Sequence, residues 1–273
     1  MKNSWIKILI LLLLGCSNNQ TNNSEIKNAP PAKMVETDMR DTLPSKVKHS
    51  TDDIANDDTI FLFRKLSAQN YNAIFIERNR ESRIYKKWTN LKFDKKDSEE
   101  FFMYCKNLKE RNLILRRFNI QNLLSEWLQL HEYKGKYYLY VPCDGMYRQD
   151  LILTDSLLIQ YGMMGPIPSI IDSFVKIRQS RFKIVLSDSA GWDGLFLKEV
   201  NIHFIDLSQK IAVWKFTYQY FNNSKVVLEN QFRLYVMKEN AKKFDMIVNF
   251  SKFRKEREFE FDSIDFRKLI GGI

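Results

Sequence analysis

The sequence predicts an α+β fold in which antiparallel β-strands dominate. Nine apolar or alternating segments follow one another between residues 136 and 250, with short polar breaks between them. Consecutive strands joined by short turns are typical of an antiparallel sheet that closes as a barrel or doubles over as a sandwich. Aromatic residues make up 14% of the chain and only 9 residues are glycine, so the region contains enough apolar side chains for a packed core.

The clearest strand covers residues 211–220. Its alternation places one set of side chains on a buried face: Ala212, Trp214, Phe216, Tyr218 and Tyr220. Residues 221–225 and 206–210 are predicted turns, because polar residues there interrupt the alternation. The next strand has a set that shares a face of its own: Val226, Leu228, Phe232, Leu234 and Val236. The succession resembles the meander of lipocalins as a pattern, although no lipocalin signature motif is present.

Two amphipathic helices are predicted before this sheet. In the first, Asp97 and Glu100 form a plausible capping pair, and Phe101, Cys105 and Leu108 recur at helical spacing. In the second, residues 119–135, apolar residues recur at helical spacing after a capping asparagine, and Gly135 ends the element.

The amino terminus contains a short apolar run that ends in a cysteine. Ile8–Leu14 contributes 7 uninterrupted apolar residues, too few for the ~20 that a membrane helix needs. Lysines at positions 2 and 7 supply the positive flank of an export signal. Leu13, Leu14, Gly15 and Cys16 resemble the lipobox of bacterial lipoprotein precursors. The resemblance covers about the first 20 residues and implies that residues 1–15 are removed and that Cys16 is acylated.

The resemblance also implies a location and a tether. Residues 16–58 are polar, contain three prolines and lack aromatic residues, so we expect a solvated linker. The globular part then covers 59–273, divided into a basic hairpin plus two helices over 59–135 and the antiparallel sheet over 136–273. The Asn-rich leader and the absence of Asp at position 17 predict anchoring to the membrane of the bacterial cell envelope, specifically the outer membrane.

Basic charge is concentrated early in the globular part. Residues 59–118 contain 15 Lys and Arg against 7 Asp and Glu. Strand-favouring segments flank residues 78–81, which predicts a hairpin with its cations around the tip. These cations are Arg78, Arg80, Arg83, Lys86 and Lys87. Such a patch suits an anionic lipid or glycan surface, with an ordinary solvated face as the alternative. An exported, tethered protein seldom meets nucleic acid, so no nucleic-acid partner is expected.

A small barrel can also enclose one ligand. The candidate lining residues are Tyr138, Tyr140, Trp214, Phe216 and Tyr218, with simple core filling as the alternative. Residues 161–169 and 187–194 are predicted rim loops because of their Gly and Pro content.

No catalytic motif is present in the sequence. The candidate nucleophiles are Cys143, Ser187 and Ser189, and the candidate bases outside the linker are His131 and His203. We therefore predict no catalytic residues, no metal site and no cofactor. Cys105 and Cys143 are expected either to form a disulfide in the oxidising envelope or to remain thiols.

These observations favour a non-catalytic binding or accessory module for a lipid, glycan or protein partner at the membrane. The two alternatives are a hydrolase of envelope polymers and a structural subunit of an outer-membrane complex.

Overall fold

The computed structural model describes residues 59–66, 71–111, 113–120, 123–143, 148–162, 165–189, 196–222, 225–251 and 258–271. The predicted signal (1–15), the acylation site Cys16 and the tether (16–58) lie outside these residues. Within them the chain forms twelve strands, numbered in chain order. They are β1 (Thr59–Leu66), β2 (Tyr71–Glu77), β3 (Ser125–Tyr133), β4 (Lys136–Val141), β5 (Leu151–Leu153), β6 (Leu157–Gly162), β7 (Gly165–Arg178), β8 (Arg181–Ser189), β9 (Phe196–Asp206), β10 (Ile211–Asn222), β11 (Lys225–Met237) and β12 (Met246–Ser251).

Eight of these strands close into a barrel, so the predicted β-rich fold is confirmed. β5 to β11 pair in chain order, each antiparallel to the next, and the β10–β11 pairing is the longest of those described. β3 closes the ring because it pairs with β11 on one side and with β5 on the other. All nine segments predicted as strands after residue 135 contain a strand. Both predicted rim loops are partly wrong, because residues 161–162 end β6, residues 165–169 begin β7 and residues 187–189 end β8.

The faces of β10 and β11 follow from their register. Trp214 pairs with Ile202 on β9 and with Arg233 on β11, so these three side chains lie on the inner face of the barrel. The predicted alternation of β10 is therefore confirmed. Val226 pairs with Phe221, which places the predicted apolar set of β11 on the outer face, opposite to Trp214.

The inner face forms the main core. Trp127, Trp214, Phe216 and Tyr235 lie at its centre and are fully buried. Ile120 and Leu123, which precede β3, join this core, and the Phe118 N–H donates to the Asp155 carbonyl 2.8 Å away in the β5–β6 turn. We call this end of the barrel, with the β5–β6, β7–β8 and β9–β10 turns, the plugged end. The opposite end, where β6, β8 and β10 end and β7, β9 and β11 begin, is the polar end.

A second group of strands extends the sheet beyond the barrel. β4 pairs with β3 and runs parallel to β12, and β2 then joins β12 to β1. An aromatic cluster packs on one face of this wing, where Tyr138 and Tyr140 meet Phe259 and Phe261 of the carboxy-terminal segment. Every described element and both of these clusters fall between residues 59 and 271, and residues 57–273 form one compact unit that contains them.

The helices differ from the prediction. Residues 83–88 form a short helix, α1 (Arg83–Trp88), in place of the second strand of the predicted basic hairpin. Ser82 caps α1 by accepting from the Tyr85 N–H, which commits the chain to a helical turn. A longer helix, α2 (Lys95–Glu110), begins at Asp94, where Asp94 and Asp97 form a reciprocal capping box. The predicted capping pair of Asp97 and Glu100 is three residues too late.

The second predicted amphipathic helix is not formed, so the predicted pair of helices before the sheet is wrong. Residues 125–133 are β3. Lys134 and Gly135 have φ values of 51° and 71° and turn β3 into β4, which is the geometry of a tight hairpin. A last short helix, α3 (Phe266–Leu269), packs Phe266 against Phe232. Among the described residues, none of the helices has the length and hydropathy to cross a bilayer.

Candidate functional site

The five aromatic residues predicted to line a pocket do not lie together. Trp214, Phe216 and Tyr218 belong to the barrel core. Tyr138 and Tyr140 belong to the aromatic cluster of the wing. The prediction of one shared pocket thus separates into two sites. In the barrel an arginine lies against an aromatic ring, whereas in the wing the Tyr140 hydroxyl donates to the Glu258 carboxylate.

Side chains fill the centre of the barrel. The Trp214 ring centroid lies 5.0 Å from that of Trp127 and 5.7 Å from that of Tyr235, both in edge-to-face geometry. Trp214 has no solvent-exposed surface. An eight-stranded barrel has just enough room for side chains or for one small ligand, and here the side chains occupy that room.

Arg233 is the principal charged group on the inner face, and it points toward the polar end. Its guanidinium carbon lies 5.2 Å from the centroid of the Phe216 ring, and its Nη2 donates to the Gln231 side-chain oxygen at 2.9 Å. The Tyr218 hydroxyl, which accepts from the Gln160 side-chain amide at 3.0 Å, lies on the same side. A cation against an aromatic face is favourable, and more so when water is partly excluded.

The electrostatics of this site leave Arg233 charged. Burial lowers the pKa of the Arg233 guanidinium, but the neighbouring Tyr235 and Tyr218 hydroxyls outweigh this and raise the pKa overall. Burial raises the pKa of Tyr235, so this tyrosine is neutral at physiological pH. Among the described residues no carboxylate forms an ion pair with Arg233. The carboxylate of Glu229 is linked to this cation only through Gln231, whose side-chain amide donates to it at 3.0 Å.

Other polar atoms on the inner face also lack acceptors. The Trp214 indole N–H and the Ser169 hydroxyl are buried without a hydrogen-bond partner. Ser169 pairs with Leu158, a member of the barrel core, and so shares the inner face. The inner face thus contains one buried group that can only donate and one that can donate or accept, and neither has a partner among the described residues.

The predicted basic patch is partly neutralised. Arg80 donates to an Asp245 carboxylate oxygen at 2.6 Å, and Arg78 lies 3.7 Å from the other oxygen. Lys86 pairs with Glu81 at 2.7 Å, although both side chains are exposed. Arg83 and Lys87 are exposed on α1. Two of the five predicted cations thus hold the α1 region against the segment that precedes β12.

A small depression lies between β3, β4 and the segment before β5. Its lining includes His131, Tyr140, Arg148 and Asp150, and its volume is about 10 Å³. A space of this size holds about one water molecule. Arg148 and Asp150 form a buried ion pair at 2.6 Å, and Asp150 also accepts from the Gln129 N–H. Desolvation raises the pKa of the Asp150 carboxyl, and the charge of Arg148 opposes this rise.

His131 also lines this depression, and it stacks on Phe261 with 4.4 Å between ring centroids. Burial lowers its pKa from 6.5 to about 4, so the imidazole is neutral at pH 7. His203 lies instead on the outer face of β9, opposite Val213, and Ser187 is exposed on β8. Cys105 and Cys143 are not joined by a disulfide, so the thiol alternative applies.

Sequence reasoning missed Arg233. The apolar alternation of β11 identifies its outer-face set, whereas Arg233, Tyr235 and Met237 form the inner-face set. The available signal is that Arg233 lies two positions before Tyr235 on the same strand. Residues two apart on a strand share a face, so a buried Tyr235 places Arg233 on the inner face as well.

Comparisons with models of protein families, with curated proteins and with solved structures found no match to this chain. The proposals below therefore rest on the residues and their geometry.

Proposed function

We propose that this protein is a lipid-anchored, non-catalytic binding module of the bacterial cell envelope, anchored through acylated Cys16 and binding an anionic partner at the polar end of its barrel. The lipobox-like residues 13–16 support the anchor, and the leader that follows them supports the outer membrane. Two acyl chains on such a cysteine give stable anchoring, whereas one chain gives only weak binding. The partner carries a carboxylate or phosphate group, as an anionic lipid or glycan does.

Arg233 carries the proposal for the binding site. A partly buried cation without a direct ion pair has lost hydration free energy that contact with an anion recovers. Phe216 and Tyr218 border the guanidinium, so the apolar part of a lipid or the ring face of a sugar could pack beside the charge. Because the interior beyond Trp214 is filled, the partner binds at the end of the barrel and not inside it.

The first experiment tests this site directly. Residues 57–273 are titrated in native mass spectrometry with a short-chain phosphatidylglycerol, a uronate oligosaccharide and, as neutral control, a short-chain phosphatidylcholine. We expect binding of at least one of the two anionic probes, weakened about 10- to 100-fold by Arg233→Gln, because a charged hydrogen bond contributes ~1.5–3 kcal/mol. Arg178→Gln is the matched control, since Arg178 is an exposed cation at the end of β7, at the plugged end of the barrel. Equal affinity of the Arg233→Gln variant for the anion would refute the site.

The anchor is tested separately in the full chain. Cys16→Ala should abolish incorporation of labelled palmitate, because the thiol is the group that accepts the lipid. Cys143→Ala is the control and should keep the label. Labelling that persists in Cys16→Ala would overturn the anchored location.

One observation favours the alternative of an envelope-polymer hydrolase. His131 and the carboxylate of Asp150 line the same depression. Its volume is far below that of a substrate site, and Asp150 is already engaged by Arg148 and Gln129. Hydrolysis of isolated envelope polymer that His131→Gln abolishes would establish this alternative.

A further inference from the structure

The β10–β11 hairpin extends past the strands on both sides of it. β9 pairs with β10 only from Ile211 to Gln219. On the other side, β3 pairs with β11 only over Leu234–Met237. Within the described residues, the distal part of the hairpin therefore projects at the polar end as an arm, which we define as residues 219–222 and 225–229. Its two strands remain paired with each other up to Asn222 and Lys225.

The outer face of the arm is apolar and exposed. Phe221 is 61% exposed, Val226 is 57% exposed and Leu228 is 61% exposed. Phe221 and Val226 are directly opposed, and Leu228 pairs with Gln219 on the same face. Isolated exposed apolar residues are common on soluble proteins, but three adjacent ones on a projecting hairpin form a continuous surface.

The charged side chains of the hairpin differ between its two faces. Within the described residues of β10 and β11, the outer face contains Lys215 and no Asp or Glu, and the one carboxylate, that of Glu229, lies on the inner face. Lys225 lies at the end of the arm, beside Val226, and Tyr220 lies next to Phe221. Aromatic and aliphatic side chains flanked by lysine are the composition that favours the interfacial region of an anionic membrane.

We infer that the arm docks into an anionic lipid bilayer, with Phe221, Val226 and Leu228 entering the boundary between headgroups and acyl chains and Lys225 contacting lipid phosphates. The inference rests on the proposed function, since a lipid anchor keeps the domain at a membrane. The three side chains expose on the order of 300 Å² of apolar surface, well below the ~800 Å² per partner of a stable protein interface. Docking to a bilayer does not need an interface of that size. The acylated Cys16 already holds the domain at the membrane, so a few inserted side chains are enough to strengthen the attachment.

The predicted tether permits this contact. A polar linker over residues 17–58 would have a root-mean-square span of roughly 36 Å. A domain of about 215 residues has a radius of gyration of roughly 17 Å. Any face of the domain can therefore reach the surface that holds Cys16, and the arm selects which face does so.

The test uses residues 57–273, which form one compact unit, without the lipid anchor. Co-sedimentation is measured with vesicles of phosphatidylcholine alone and of phosphatidylcholine mixed with phosphatidylglycerol. We expect binding to the anionic vesicles and a loss of about tenfold or more in partition when Phe221, Val226 and Leu228 are all changed to Ser. The matched control is Val175→Ser with Ile177→Ser, because these β7 residues are 50% and 53% exposed near the plugged end. The control should bind like the wild type.

A second measurement does not depend on lost binding. In Phe221→Trp, fluorescence of the new tryptophan should shift to the blue on vesicle addition and be quenched by lipids brominated on the acyl chain, relative to the parent domain. Absence of vesicle binding by the parent, equal binding by the triple variant, or no quenching in Phe221→Trp would each overturn the inference. Arg233→Gln is measured in the same vesicle assay, so that the two proposals can fail separately. If Arg233→Gln loses the anionic ligand but still binds vesicles, the loss concerns the barrel site alone. If the triple variant loses vesicle binding but still binds the ligand, the loss concerns the arm alone.

Discussion

Trp214→Ala tests whether the barrel interior is a packed core or a ligand pocket. Trp214 is fully buried and makes edge-to-face contacts with Trp127 and Tyr235. Truncating a buried tryptophan costs ~3–5 kcal/mol, since the lost transfer free energy adds to the cavity that remains. Because two aromatic pairs are lost as well, we expect a decrease of about 4 kcal/mol in the free energy of unfolding. If Trp214 lined a hydrated pocket, the change would be much smaller.

The assay is equilibrium urea unfolding of residues 57–273, followed by far-ultraviolet circular dichroism. With a slope of roughly 2–3 kcal/mol per molar urea for a domain of this size, the midpoint should fall by roughly 1.5–2 M. Phe221→Ala is the matched control, because it removes an aromatic ring from the opposite face of the same strand, where 61% of the residue is exposed. It should change stability by less than about 1 kcal/mol. A loss below about 1 kcal/mol for Trp214→Ala would refute the packed interior.

Two further predictions concern the wing. Burial lowers the pKa of His131 from 6.5 to about 4. Between these pH values the unfolded state therefore binds more protons than the folded state. The free energy of unfolding should fall by up to about 3 kcal/mol as the pH drops through this window. His131→Phe should remove most of this slope in urea unfolding at pH 7 and pH 4.5, and an unchanged slope would contradict the assignment. Gly135→Ala should cost about 1 kcal/mol, because φ is +71° and a Cβ there would meet nothing within 4 Å, so the cost is backbone strain alone. Gly135→Asn should cost less in the same unfolding experiment, and equal stability of Gly135→Ala and the wild type would contradict this explanation.

The strands of the barrel could be predicted because most of them alternate. β10 is the best example: its inner face is apolar, and its outer face carries Lys215, Thr217 and Gln219. Alternation with period two then determines both the strand and its buried face. The closure into a ring follows less directly, because it depends on β3, the one barrel strand whose sequence indicated a helix.

β3 was mispredicted because both of its faces are buried. Trp127 faces the barrel core, and the adjacent Leu128 is equally buried on the other face. Consecutive apolar residues of this kind satisfy helical spacing as well as a strand with two covered faces, so periodicity cannot distinguish them. The parallel pairing of β4 with β12 was likewise not predictable, since it joins residues more than 100 positions apart in the sequence.

The candidate site was predicted only in part. Its aromatic wall, Phe216 and Tyr218, follows from the alternation of β10, but its charge does not. Arg233 contributes because the β10–β11 register places it opposite Trp214. That register is a pairing between two strands, and neither strand alone specifies it.

The same register connects the barrel site to the arm. The inner residue Trp214 of β10 pairs with Arg233 of β11, whose guanidinium points toward the polar end. The outer residue Phe221 of β10 lies at that same end. Because neighbouring residues on a strand point to opposite faces, one hairpin presents a cationic group inward and an apolar surface outward. Docking of the arm would therefore bring the polar end to the depth of the lipid headgroups, where phosphate is most concentrated. A one-residue slip between β10 and β11 would place Lys215 in the core and expose Trp214, so selection for the packed interior also fixes the position of both surfaces.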